Sequence, residues 1–156
     1  MTGNKVSKYL RLYAQLEKLT EKCTDPLARM ATVNAILYHK METFSWVGFY
    51  LLKGGRLIVG PYQGHLACQT LEKNKGVCWA GINEKKTIIV PDVHDFPGHI
   101  ACDSSSRSEI VIPLLNQEGE ITGVMDIDSR LADNFEPTDG RELEKICRLI
   151  YRQTEN

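Results

Sequence analysis

Along the first forty residues the apolar side chains recur at intervals of three and four. In KVSKYLRLYAQLEKLTEKC, the residues Val6, Leu10, Tyr13, Leu16, Leu19 and Cys23 keep that spacing, which predicts a helix with one buried face. A second helix is predicted to open at Thr24-Asp25-Pro26, where Asp25 can cap free amides and Pro26 suits the first turn. It continues through Met30, Val33, Leu37 and Met41. Past Thr43 the period falls to two. FSWVGFYLL, KGGR and LIVG predict two strands joined by a glycine turn. On the first strand Trp46, Gly48, Tyr50 and Leu52 share one face and Val47, Phe49 and Leu51 share the other. The Val, Phe, Leu face reads as core. Two aromatics flanking a glycine predict a notch on the other face, shaped to receive a small ligand.

Residues 60–108 carry most of the turn formers and little periodicity, apart from the short strand Thr87-Ile-Ile-Val90. Loops of that length inside a compact domain are often functional. A second hairpin follows, with strands over 109–115 and 121–128, and the chain closes with a helix that sets Leu143, Ile146, Cys147 and Ile150 on one face. The pattern predicts a single α+β domain over residues 1–156. Helices fall at about 4–42, sheet and active-site loops at about 43–130, and a last helix at about 137–152. The central sheet is expected to be antiparallel, with the helices from both termini on one side and a loop-rich ligand pocket on the other.

Composition narrows the function. A chain of 156 residues buries roughly two thirds of its unfolded surface and needs no staples. Nineteen basic residues stand against twenty acidic ones, so the clustered basic excess on which phosphate binding rests is missing and nucleic acid is excluded as a partner. No apolar run approaches the ~20 residues of a membrane span, and MTGNKVSKYL lacks the apolar core of a secretory signal. A cytoplasmic location is therefore expected. Five cysteines, an odd number without a CxxC pair, argue against a secreted disulfide framework.

Cys23 and Cys147 fit helix faces and read as packing. Cys68, Cys78 and Cys102 all fall in the loop-rich region, ten and then twenty-four residues apart. Zinc sites use paired ligands two to four apart, so a metal site with His65, His94 or His99 is the weaker reading and no metal is assigned. Three thiols on separate loops suit a relay in which one attacks and a neighbour closes a disulfide. In DFPGHIACDSSSRSE, Cys102 has the best setting for a nucleophile: His99 and Arg107 favour its thiolate, while Asp103 and Glu109 oppose it. The plain alternative is an inert loop cysteine.

Asp126 and Asp128 share a strand face, and Glu109 opens the partner strand. Such acids can simply be solvated. Together with Trp46 and Tyr50 they would instead form an acidic, aromatic-walled pocket suited to a cationic amine. A thiol nucleophile beside a carboxylic acid whose pKa is raised by crowding points to reductive removal of oxygen from sulfur. The acid would protonate the departing oxygen. The attacking cysteine would become a sulfenic acid, and a second cysteine would condense with it.

The run GVCWAGINEKKTIIVPDVHDFPGHIACDSSSRSEIVIPL, preceded by SWVGFY and HLACQT and followed by GVMDIDS, resembles the free methionine-(R)-sulfoxide reductases, enzymes of the GAF fold. The resemblance implies reduction of the free R epimer, with no bound cofactor and with thioredoxin as electron donor, recharged by NADPH and thioredoxin reductase. It matches Cys102 to the attacking cysteine and Cys68 and Cys78 to the resolving and recycling pair, either of which could be the first to bridge Cys102. Glu109, Asp126 and Asp128 match the pocket acids, and Trp46 and Tyr50 the aromatic wall. One departure is Trp79-Ala80-Gly81 after Cys78, where the family usually has a small run such as Gly-Thr-Ala. His94 and His99 lie within the motif and are read as shaping the loop. A homodimer through the first helix is left open. The alternative class is a non-catalytic GAF module that senses a ligand or redox state. It is disfavoured because these 156 residues carry no output segment. A thiol peroxidase would not need the acidic, aromatic pocket.

Overall fold

In the computed structural model, which describes residues 2–99 and 102–154, the chain begins with α1 (Thr2–Leu19) and α2 (Pro26–Lys40). There follow β1 (Trp46–Lys53), β2 (Arg56–Gln63), β3 (Thr70–Leu71), α3 (Gly76–Glu84) and β4 (Ile88–Val90). A 3-10 turn (Val93–Asp95), β5 (Ser108–Leu115), β6 (Ile121–Ser129) and α4 (Pro137–Arg148) complete it. The strands form one antiparallel sheet in the order β3-β2-β1-β6-β5-β4. The two hairpins expected from the period-two pattern meet at its centre, where β1 pairs with β6.

That alternation divides the interior into two layers. Val47, Phe49, Ile110, Ile112, Leu114, Met125 and Ile127 face the terminal helices, packing with Leu16, Met30, Leu37, Leu143 and Ile146. Trp46, Tyr50, Val111 and Val124 face the other way. The α+β architecture is thus as predicted, with α1, α2 and α4 on one side. The other side is not all loop, because α3 lies across it and buries Val77, Cys78 and Trp79. The segment GVCWAGINE is apolar on nearly every side, so it shows no 3.6-residue stripe from which a helix could be read. Gly81 lets this helix sit close: a Cβ there would come within 2.8 Å of Val111 Cγ1.

Asp25 caps α2 as expected, accepting from the amides of Leu27 (2.8 Å) and Ala28 (3.2 Å), with Pro26 in the first turn. The predicted face of α1 needs correcting. Its buried side chains are Tyr9, Leu12 and Leu16, whereas Leu10 and Leu19 are more than half exposed at 57% and 52%. Two interleaved apolar rows run along this helix. The row containing Tyr9 wins because its hydroxyl donates to Asp139 Oδ1 at 2.7 Å, tying α1 to the start of α4. Cys23 is corrected as well: α1 ends at Leu19, and Cys23 lies exposed in the connection to α2. Cys147 is buried in the helix-side core as expected.

Candidate active site

Strand parity assembles the site. Trp46 and Tyr50 stand two pleats apart on β1, and the register places Trp46 opposite Asp128 and Gly48 opposite Asp126. Across the next ladder Glu109 is opposite Asp128. All five side chains therefore line the same face, and they border one pocket of about 570 Å³ measured out to its mouth. Cys78 enters from α3, Leu66 and Ala67 from the segment between β2 and β3 that also carries Cys68, and His99 and Cys102 from the segment after the 3-10 turn. A disulfide joins Cys68 to Cys102, their Cα atoms 5.7 Å apart. Cys78 is a free, buried thiol.

The aromatic residues do more than wall the pocket. Trp46 Nε1 donates to the carbonyl of His65 at 3.0 Å and Tyr50 Oη to the carbonyl of Cys68 at 3.1 Å. The segment carrying Cys68 is thereby tied down to β1. The predicted notch at Gly48 is not open to a ligand. A Cβ at Gly48 would collide with the indole of Trp46 and with Cβ of Tyr62, so the missing side chain makes room for protein, and Trp46 stacks on Tyr62 with ring centroids 5.3 Å apart.

The acids are not a solvated face. Glu109 and Asp126 are buried, with 5% and 7% exposure, and no lysine or arginine pairs with them among the described residues. Burial, then the nearby Asp128, raises Glu109 to about 8. Burial and the neighbouring carboxylates likewise push Asp126 and Asp128 well above the ordinary range. The same burial, reinforced by Asp126, pushes the Cys78 thiol upward, so it holds its proton. Asp126 Oδ1, Asp103 Oδ2 and Ser106 Oγ are buried without a hydrogen-bond partner among the described residues, and all three residues border the pocket. Groups left in that condition are open to a water or a polar ligand, and Asp103 Oδ2 also lies 3.7 Å from His65 Nε2.

Ser106 was missed in the sequence. The Ser-rich run was visible, but nothing distinguished Ser106, which borders the pocket, from its neighbours. His99 borders the pocket with Nε2 3.6 Å from Glu109 Oε2, and burial lowers its pKa. The part expected of Arg107 is corrected: its guanidinium bonds Asp92 Oδ2 at 3.0 Å. His94 is held by the same carboxylate, Nδ1 lying 2.8 Å from Asp92 Oδ1. Bonds from the His94 amide, then from Arg107 and the His94 ring, hold Asp92 down at about 2.

No family model matches the chain. Among curated proteins, it is 38% identical over 149 residues to the free methionine-R-sulfoxide reductase of Escherichia coli, covering 96% of this chain and 90% of that one. It is 36% identical over 156 residues to the free methionine-R-sulfoxide reductase of Saccharomyces cerevisiae, covering 96% and 87%. The chain belongs to the free methionine-R-sulfoxide reductase family. Among solved structures, it is similar to the reduced form of the Staphylococcus aureus fRMsr, with TM-score 0.87 and 42% identity over 92% of each chain. The reductase of Neisseria meningitidis in complex with its substrate superposes with TM-score 0.87 and 36% identity over 92% of this chain and 86% of that one. A structure described as that of the GAF domain gives TM-score 0.90 at 34% identity, covering 97% and 90%. The fold is that of a GAF domain. Within this member of the reductase family, the unusual Trp79 is buried in the pocket-side core beside Cys78. The indole therefore belongs to a packed helix and not to a loop.

Proposed function

We propose that the protein reduces free methionine (R)-S-oxide to methionine, with the whole chain acting as one catalytic domain. The observation that carries this reading is the Cys68–Cys102 bridge, whose Cys102 lines the same pocket as Glu109, Asp126 and Asp128. The substrate's ammonium group is held by Asp126 and Asp128, and its methyl and sulfur end lies against Trp46 and Tyr50. The raised pKa values of the two acids fall as that positive charge enters beside them, and their protons leave to solvent. The Cys102 thiolate attacks the sulfoxide sulfur. Glu109, protonated at neutral pH because its pKa lies near 8, donates to the oxygen as the S=O bond breaks. Two electrons pass from the thiol to the sulfoxide, leaving methionine and a Cys102 sulfenic acid. Cys68 then attacks that sulfur, releasing water and forming the disulfide. Its bond to Cys102 supports Cys68 as the first resolving cysteine in this reading, with the buried, protonated Cys78 left for a later recycling step.

An external dithiol of the thioredoxin class, recharged by NADPH through thioredoxin reductase, restores both thiols. This cycle belongs in the reducing cytoplasm. No helix among the described residues is long and apolar enough to cross a membrane. The test is consumption of each epimer of free methionine sulfoxide in the presence of thioredoxin, its reductase and NADPH. The R epimer should be consumed and Cys102→Ser should abolish turnover. Equal rates for wild type and variant would leave a ligand-sensing GAF module as the function.

A further inference from the structure

Cys78 is the pocket cysteine that the Cys68–Cys102 bridge leaves free. Its Sγ, a carboxylate oxygen of Glu109 and a carboxylate oxygen of Asp126 all lie within 4.8 Å of one another, and all three residues are buried. A second observation points to a ligand there: Asp126, only 7% exposed, borders the pocket and leaves Oδ1 without a hydrogen-bond partner among the described residues. We propose that Cys78, Glu109 and Asp126 form a binding site for a borderline-soft divalent cation of the zinc class, which shuts the pocket against the sulfoxide.

The donor set selects the cation. One thiolate with two carboxylate oxygens suits zinc, cobalt or cadmium, whereas magnesium and calcium favour oxygen alone. Zinc–sulfur and zinc–oxygen bonds of about 2.3 and 2.0 Å put neighbouring donors about 3.5 Å apart around a tetrahedral ion. From 4.8 Å, the donors need to draw in by roughly 1.3 Å at most, within reach of side-chain rotation. Cys78, Glu109 and Asp126 all line the pocket, so the ion would be held at its wall. On entry the cation displaces the thiol proton and the carboxyl protons into solvent, so affinity falls as pH falls. The bound ion takes up Asp126, one of the two acids that would receive the substrate's ammonium group, together with Glu109, which would protonate the sulfoxide oxygen. Only this competition rests on the reaction proposed above; binding does not.

The test begins with cobalt(II) titrated into the full chain with the Cys68–Cys102 bridge formed, so that neither of those thiols can contribute. A thiolate-to-cobalt charge-transfer band should grow to saturation at one equivalent, be bleached by added zinc, persist in Cys23→Ser and vanish in Cys78→Ala. Asp126→Asn should weaken cobalt at least tenfold. A measurement that needs no variant is the alkylation rate of Cys78 in wild type, read by mass spectrometry, which zinc should slow at least tenfold. Absence of the band, its survival in Cys78→Ala, or an unchanged alkylation rate would overturn the site. Zinc should raise the apparent KM for the sulfoxide. Cobalt binding in a protein that reduces no sulfoxide would uphold the site and defeat the proposed reaction, and turnover without cobalt binding would do the reverse.

Discussion

Replacing Glu109 by glutamine removes a proton donor with little change of shape, and two independent readouts follow from its surroundings. Glu109 is buried beside Asp128 and Asp126, with a pKa near 8 against an ordinary 4.5. At pH 7 about nine tenths of it carries the proton that the sulfoxide oxygen requires. Losing a positioned general acid costs about 10² to 10⁴ in rate, so kcat of Glu109→Gln should fall by at least about a hundredfold. The wild-type decline in kcat above pH 8, where Glu109 ionises, should disappear with it. Stability supplies the second readout. Between pH 4.5 and 8 the folded protein holds a proton on Glu109 that the unfolded chain has released, so wild-type stability falls as pH rises through that window. At about 1.36 kcal/mol per pH unit, the loss from this one group reaches roughly 3 kcal/mol by pH 7. Glutamine does not titrate. The unfolding free energy of the variant relative to wild type should therefore rise by roughly 3 kcal/mol between pH 5 and pH 8, measured by urea denaturation. A variant with wild-type kcat, the same alkaline limb and a parallel stability curve would refute both the acid role and its physical cause.

Cys68→Ser should still release methionine in a first turnover but leave Cys102 as a sulfenic acid that dimedone traps; an unchanged disulfide yield, with Cys78 bridged to Cys102 instead, would overturn the assignment of Cys68. Asp126→Asn should raise KM for the sulfoxide at least tenfold, about 1.4 kcal/mol of lost ammonium binding, while Cys102 of the reduced variant remains open to alkylation. Wild-type kinetics would remove Asp126 from the substrate site. Arg29 is buried and bonds the carbonyls of Thr20, Cys23, Leu149, Ile150 and Arg152, so it joins the start of α2 to the end of α4. Arg29→Met should cost about 3 kcal/mol by leaving those carbonyls unpaired, lowering Tm by about 10 °C in a calorimetric scan; an unchanged Tm would show that water replaces it.

Much of the site was legible because strand parity is unforgiving. Once FSWVGFYLL and ITGVMDID were read with period two, Trp46, Tyr50, Asp126 and Asp128 had to share faces, and the ladder registers then aligned those faces. What escaped depends on partners distant in sequence. Nothing near Gly48 shows that Tyr62 and the folded-over Trp46 fill its notch. The pairing of Arg107 with Asp92 is set by the turn between β4 and β5, so proximity to Cys102 in sequence misled. Tyr9 outranks Leu10 because of Asp139, one hundred and thirty residues away. The helix over Gly76–Glu84 is buried against the sheet and stabilised by packing, a cause that leaves no stripe in the local pattern. The pairing of the cysteines also needed the fold: both Cys68 and Cys78 match the family pattern, but Cys68 is bonded to Cys102 while Cys78 is a free, buried thiol.

The central claim, that Cys102 removes the sulfoxide oxygen and Cys68 closes the cycle against acids buried in the same pocket, is tested most directly by a single turnover. The fully reduced protein, freed of reductant, is mixed with excess free methionine (R)-S-oxide; methionine is quantified and the disulfide mapped by peptide mass spectrometry. The account predicts one equivalent of methionine per chain and a Cys68–Cys102 bridge, with no methionine formed from the S epimer. No methionine, or a full equivalent released with Cys102 still a free thiol, would contradict it.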